Sequence, residues 1–444
     1  MTPTKVRWRI FVLACGASML LYLHRYTWNL VGPELKAAYD LDNTQVQFLF
    51  SLFYYTYAGG QVPSGVVVDR FGPHRVLSGS ILGWSLALAG LALTSRLWAL
   101  GGARLLFGLA QAACYPSLTK VTRVWFPATR RTVLQGWVAT TAGRSGGALA
   151  PIVMGTLLMG ACGLSWRWAL IVMAAAGVVF AFLFAVYFRN SPREHTGVNE
   201  AERELITEGD PAPSKVAAPV VLPVRRALRN RSLRVFVVQQ FLDAGSDVAF
   251  ASLMGAYFLQ ARGFDVAKTG WLASLPLWGG ALGGIVGGWL NDRLIAESAD
   301  RRWTRSGVGA VGKVIGCVML ALVTRPEDGV MAGMVLMLAK FFSDWSQPTV
   351  WGACTDLGGR YSATVFSIIN TAGTLGGVVM PLVFGRVLDH FTTKVDRDGT
   401  LVSVTEWGPL FILLSAMYLG SAVCWLLIDC TRRLDIEDAP TPEE

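Results

Sequence analysis

Charge is scarce in this sequence. Asp, Glu, Lys and Arg make up 16% of its 444 residues, against about 25% in soluble domains, while 53% of the residues are hydrophobic. That balance excludes an ordinary water-soluble globule and points to a chain that crosses a lipid bilayer several times. Ligand spacing is missing too. The four histidines are scattered, and Cys15, Cys114, Cys162, Cys317, Cys354, Cys424 and Cys430 lie in or beside apolar runs. They read as small packing residues, so no metal site is expected. No Ser-His-Asp arrangement or nucleotide-binding loop is present, and the glycines sit at helix-packing spacing, which argues against an enzyme and against a cofactor. A cleavable leader is not expected. Lys5, Arg7 and Arg9 precede an apolar run too long for a signal-peptide core, and no small-residue cleavage site ends it.

What the chain has instead is twelve apolar runs, at 10–33, 45–68, 76–95, 97–119, 133–160, 167–188, 234–260, 270–291, 307–324, 328–354, 363–388 and 407–429. Each is long enough to span a ~30 Å hydrocarbon layer as a helix, which takes about 20 residues. The expected fold class is therefore an all-α membrane protein with twelve transmembrane helices. The formal net charge of +9 could suggest a nucleic-acid partner, but its distribution does not. If the runs alternate across the membrane, 25 of the 39 Lys and Arg fall in segments on the side of the N-terminus, nine fall on the other side and five lie within spans. This bias predicts that both termini are cytoplasmic and that no nucleic acid is bound.

The only long polar connection, 190–232, contains Ser-Pro and Pro-Ala-Pro and divides the chain at its midpoint. The expected organisation is a six-helix bundle at 1–189, a cytoplasmic linker at 190–232, of which Val198–Glu208 can form a surface helix, and a second bundle at 233–444. The halves repeat. Gly65-Val-Val-Val-Asp69-Arg70 returns as Gly288-Trp-Leu-Asn-Asp292-Arg293, 223 residues later. Gly146-Gly-Ala-Leu-Ala-Pro151 returns as Gly376-Gly-Val-Val-Met-Pro381, 230 residues later, and Pro116 returns as Pro348. Pseudo-symmetric halves of this kind mark transporters whose substrate site lies near the bilayer midplane.

Charges inside spans are costly, about 2.5–3.5 kcal/mol for a central Arg on insertion scales, and they mark functional sites by default. His24 and Arg25 stand side by side in the first run, Arg104 lies in the fourth and Arg144 in the fifth. Asp243 and Asp247 are one helical turn apart in the seventh, as are Lys340 and Asp344 in the tenth. With Lys313 assigned to the cytoplasmic interface, these charges leave a positive surplus, which favours an anionic substrate. The 223-residue offset maps His24 onto Asp247, a pairing that would let the two face each other. A structural alternative stands beside each assignment. Arg25 and Arg104 could pair with Asp247 or Asp243, Arg144 could bond to backbone among its flanking glycines, Lys340 and Asp344 could be a local pair, and Tyr54 and Tyr55 could serve packing.

Gly60-Gln-Val-Pro-Ser-Gly65-Val-Val-Val-Asp69-Arg70-Phe-Gly72-Pro-His-Arg75 resembles the cytoplasmic loop between spans 2 and 3 of the major facilitator superfamily. The resemblance extends over essentially the whole chain. It implies the twelve-helix fold of that superfamily in two six-helix halves, with Asp69, Arg70, Arg75, Asp292 and Arg293 as gate residues that latch the cytoplasmic side. Arg25, Tyr57, the run from Arg104 through Gln111 to Pro116, and Trp125-Phe-Pro127 followed by Arg131 are similar to the anion:cation symporters, carriers of sugar acids and other organic anions. That likeness implies that Arg25 and Tyr57 bind a substrate carboxylate, that Arg104 sits near the proton-coupling network, and that polar residues of span 11, here Asn370 and Thr374, touch substrate. It also implies a monomer in a bacterial inner membrane. The chain departs from the pattern at two points. His24 stands where the family often has Asp, and Gln111 where it often has Glu, so both carboxylates of the usual proton route are missing.

The function expected from these features is secondary active transport of a small organic anion, a sugar-acid-like carboxylate, by alternating access. Arg25, Tyr57, Arg104, Arg144, Asn370 and Thr374 are the candidate binding residues. His24, Gln111, Asp243 and Asp247 are the candidate coupling positions, with a proton as co-substrate. Exchange of an organophosphate against phosphate is an alternative, because guanidinium groups suit a dianion. A transporter-like sensor that binds without flux is another. Drug export fits less well, since span 5 reads Gly143-Arg-Ser-Gly146-Gly147 without the proline of drug antiporters.

Overall fold

A computed structural model of the chain describes residues 2–127, 134–207, 229–298, 300–358, 362–397, 400–432 and 434. Each of the twelve apolar runs is helical over its described residues, save for short turns. Seven helical stretches among the described residues are, by length and composition alone, long and apolar enough to cross a membrane. The helices are α1 (Val6–Arg25), α2 (Trp28–Tyr39), α3 (Asn43–Leu93), α4 (Leu97–Ala112), α5 (Cys114–Trp125), α6 (Gly143–Pro151), α7 (Trp166–Tyr187) and α8 (Glu200–Thr207). They continue with α9 (Arg231–Ser252), α10 (Val266–Glu297), α11 (Arg301–Leu322), α12 (Gly329–Ser343), α13 (Ser346–Gly358), α14 (Ser362–His390) and α15 (Gly408–Leu427). Between α14 and α15, β1 (Thr392–Arg397) and β2 (Thr400–Thr405) form an antiparallel hairpin with Thr392 opposite Thr405.

The chain clusters into two compact units. One holds residues 1–41, 45–214 and 251–274, and the other holds 42–44, 215–250 and 275–444. The main division, between 214 and 215, falls within the polar linker, in residues outside those described.

In the first unit, α1 runs along α6 and α5. Gly146 makes the α1–α6 approach possible, since any Cβ there would strike the Met19 carbonyl. Over its described residues the fifth run is α-helical at 134–136 and Gly143–Pro151 and takes π geometry at Trp137–Ala142 and Ile152–Ala161. Pro151 has no N–H to donate, and the α-helical register gives way just after it. α3 is broken at Gly72, whose φ of 78° is ordinary for glycine and strained for other residues. Asn190 seals that break by accepting from the His74 N–H at 2.8 Å. The expected surface helix of the linker is α8. Its wholly buried Glu202 accepts from the backbone N–H groups of Val6 and Arg7 at 3.2 and 3.1 Å and from the Arg7 guanidinium at 2.9 Å, placing a carboxylate at the positive end of α1.

In the second unit, α11 packs along α15 and α12. The core holds Leu233 and Phe236 of α9, Ala310 of α11, Leu357 of α13, Ile369 of α14 and Trp425 of α15. α10 meets α12 at Gly279 and Gly283, where a Cβ would strike backbone of Met337 and Phe341, and meets the turn after α12 at Gly287, where it would strike backbone of Trp345. Four-residue spacing sets these glycines on one stripe, the small-residue device that lets membrane helices approach backbone to backbone.

Candidate functional site

The first run is one helical stretch, Val6–Tyr39, with a turn at Tyr26 and Thr27. α1 ends at Arg25, and α2 begins at Trp28 after a turn fixed by the Thr27 hydroxyl, which donates to the His24 carbonyl at 2.8 Å. A buried charge within a span marks a candidate functional site. Arg25 is 6% exposed. Its Nε donates to Gln111 Oε1 at 3.1 Å, and the Gln111 amide nitrogen donates to the Leu21 carbonyl at 3.1 Å. Three rings surround the guanidinium: Phe53 at 4.6 Å, Tyr57 at 4.7 Å and Tyr22 at 5.0 Å. Tyr57 stacks on Phe53. Nη2 of Arg25 is buried and has no hydrogen-bond partner among the described residues, and none of their carboxylates forms an ion pair with Arg25.

Arg104 is placed differently. Its Nε and Nη2 donate to the carbonyls of Leu49 and Phe50 at 3.2 and 2.9 Å, and its guanidinium lies 4.4 Å over the Trp28 ring, with Phe50, Phe53 and Phe107 around it. The guanidinium ties α4 to α3. His24 is wholly turned to packing. Its ring Nε2 contacts the Met173 carbonyl of α7 at 3.0 Å, and Ser85 and Gly177 close around it. Within the first unit the ring is lodged against α3 and α7. Arg144 is half-buried, behind Gly143, whose backbone lies against the Tyr22 ring.

The second unit holds its own buried charges. Lys313 was expected at the cytoplasmic interface; instead it is fully buried in α11 and pairs with Asp243. Ser343 accepts from Lys313 at 2.7 Å, while Gln347 and Gln239 donate to Asp243 Oδ2 at 3.1 and 3.4 Å. Lys340 sits 2.6 Å from both Asp247 and Asp344. The local pair read from the sequence is real, and Asp247 joins it from α9. Asp243 and Asp247 thus each have a lysine partner within the second unit. Asn370 is exposed on α14, and the Thr374 hydroxyl donates to its carbonyl at 2.9 Å.

Of the gate residues, Arg70, Arg75, Asp292 and Arg293 are exposed. Arg70 stacks on Phe71, and Arg293 pairs with Glu297 at 2.9 Å. The Asp69 side chain and Arg131 lie outside the described residues.

Sequence reasoning missed Tyr22, Phe53, Lys313, Gln239, Gln347 and Ser343. Tyr22 and Phe53 carried a signal, lying three residues before Arg25 and four before Tyr57 on the same helices, and Lys313 lies mid-helix.

A profile of the Major Facilitator Superfamily matches residues 13–381. The chain belongs to the major facilitator superfamily. This facilitator is thus a multi-pass membrane transporter and not an enzyme. It is 30% identical to a probable sulfoacetate transporter of Cupriavidus necator over 92% of its own length and 94% of that protein's. A probable galactarate/D-glucarate transporter of Bacillus subtilis is 27% identical, over 87% of this facilitator and 86% of the relative. A hexuronate transporter of Escherichia coli is 25% identical, over 95% and 94%. Among solved structures, a bacterial homolog of the human lysosomal transporter Spinster, inward-facing and unoccupied, superposes with a TM-score of 0.75 at 16% identity over the whole of both chains, a likeness of fold.

Proposed function

We propose that this facilitator carries a small organic anion, a carboxylate or sulfonate of the sugar-acid or sulfoacetate kind, across a bacterial inner membrane by alternating access, as a monomer with both termini in the cytoplasm. The observation that carries the reading is the unpartnered Nη2 of Arg25: a buried cation, ringed by Phe53, Tyr57 and Tyr22, with no carboxylate partner among the described residues. Burying a charge without compensation is expensive, and a travelling anion supplies the compensation when it binds. Tyr57 lines the same guanidinium. Arg104, bound to two carbonyls, acts as a structural clamp in this reading, which removes the second open guanidinium that organophosphate exchange would want. The names of the relatives support the anion class.

Proteoliposome uptake of sulfoacetate, D-galactonate, D-glucarate and D-glucuronate tests it. Charge-assisted hydrogen bonds contribute about 1.5–3 kcal/mol, so Arg25→Ala is expected to cut transport of the accepted anion ~10- to 100-fold with the fold retained. Arg25→Lys falls nearly as far, because a point charge cannot reproduce the planar fork. Intact uptake in either variant overturns the reading.

A further inference from the structure

We propose that Asp247 is the residue that takes up and releases the proton in this facilitator's cycle, with Lys340 shared between Asp247 and Asp344. The inference deepens the anion-transport reading and rests on it.

Among the described residues, the charges grouped on α9, α11 and the end of α12 do not balance. Lys313 and Lys340 face Asp243, Asp247 and Asp344, which leaves one surplus negative charge when all are ionised. The surplus cannot reside on Asp243. It has its own lysine and two side-chain amides, and its pair with Lys313 is completely buried. Asp344 is also completely buried, and it meets Lys340 across one turn of α12. Asp247 differs from both: its side chain is 29% exposed, and the ammonium it contacts is already held at the same 2.6 Å by Asp344. Asp247 is thus the one of the three carboxylates whose side chain is not fully enclosed, and Lys340 keeps a partner when Asp247 is neutral. The groups facing Asp247 are Lys340 and Asp344 from α12, Lys313 from α11, Tyr418 from α15 and Asp243 on its own helix.

The proton step balances simply. A hydronium ion gives its proton to a carboxylate oxygen of Asp247, one O–H bond breaking and one forming. The cluster passes from one net negative charge to none, and Lys340 remains an ammonium on Asp344. Release to water on the other side reverses the step. The Gln111 amide that holds Arg25 does not titrate.

The test uses the full chain in proteoliposomes with a trapped pH dye and the four anions named above. Wild type is expected to acidify the lumen as the accepted anion enters. Asp247→Asn loses that proton influx and uphill accumulation but keeps counterflow exchange of the labelled anion, and Asp247→Glu restores influx. Asp344→Asn pairs Lys340 one-to-one with Asp247, removes the surplus from the other side, and loses proton influx in the same way. A merely structural Asp247 would instead lose counterflow together with influx. Anion-linked acidification that persists in a folded Asp247→Asn or Asp344→Asn variant overturns the assignment. Wild type that moves none of the four anions overturns the anion reading itself, and this assignment with it.

Discussion

Lys313 and Asp243 form an ion pair in which both side chains are completely shielded from solvent. One comes from α11 and the other from α9, so the pair rivets two helices of the second unit together. Lys313→Met alone strands a carboxylate in the interior, and the expected cost is about 3–5 kcal/mol. Lys313→Met with Asp243→Asn removes both charges and recovers most of that loss. Thermal unfolding in detergent decides: a single mutant as stable as the double would show that the pair does not hold α9 to α11.

Arg104 and Arg25 are both buried arginines of the first unit, yet they are expected to fail differently. Arg104 gives its donors to the Leu49 and Phe50 carbonyls and its face to Trp28. Arg104→Ala removes two charge-assisted hydrogen bonds to helix carbonyls, each contributing about 1.5–3 kcal/mol, so its thermal midpoint drops sharply. Arg104→Lys, if it folds, keeps an unchanged KM for the anion. A raised KM at wild-type stability would move Arg104 into the binding site.

His24→Gln is expected to leave uptake and its pH profile close to wild type. The glutamine amide can still donate to the Met173 carbonyl, which His24 contacts at 3.0 Å, and the side chain faces helices, not an aqueous path. Uptake of the accepted anion between pH 5.5 and 8.0, about the range over which a histidine charge would change, checks this. Loss of proton-linked accumulation in this variant would return His24 to the coupling role.

Gly283→Ala tests the stripe between α10 and α12. The added methyl meets the Phe341 backbone, which cannot swing aside as a side chain would. Overpacking of this kind costs about 1–3 kcal/mol. Reduced membrane abundance and a lower thermal midpoint are expected. Gly284→Ala, whose added methyl meets only open space, serves as the silent neighbour.

Much of this architecture is legible in residue order, because a bilayer forces each crossing to be long and apolar. The runs, the midpoint linker and the repeated Gly-Pro segments need no coordinates. Arg25 with Tyr57 is legible by resemblance. Partners are a different matter. A sequence places His24 and Lys313 along a helix but does not fix which neighbour each face meets, and that rotation decided both: His24 turned to α7, and Lys313 turned inward to Asp243. Arg104 misled for a related reason. Its fork is satisfied by backbone carbonyls, which every residue carries and which leave no trace in side-chain pattern. The β1–β2 hairpin had a signal that went unused, Asp398-Gly399 between two runs rich in Thr and Val.

The glycine stripe of α10 bears on motion. Where two helices touch main chain to main chain, no intervening layer of side chains is free to re-pack, so sliding or twisting of one against the other is blocked by hard contacts. α10 and α12 then travel as a single stiff plank. Lys340 and Asp344 ride on that plank, while Asp247 rides on α9. Any relative displacement of plank and α9 during turnover stretches or relaxes the Lys340–Asp247 contact directly, giving a mechanical stroke a chemical consequence at one carboxylate.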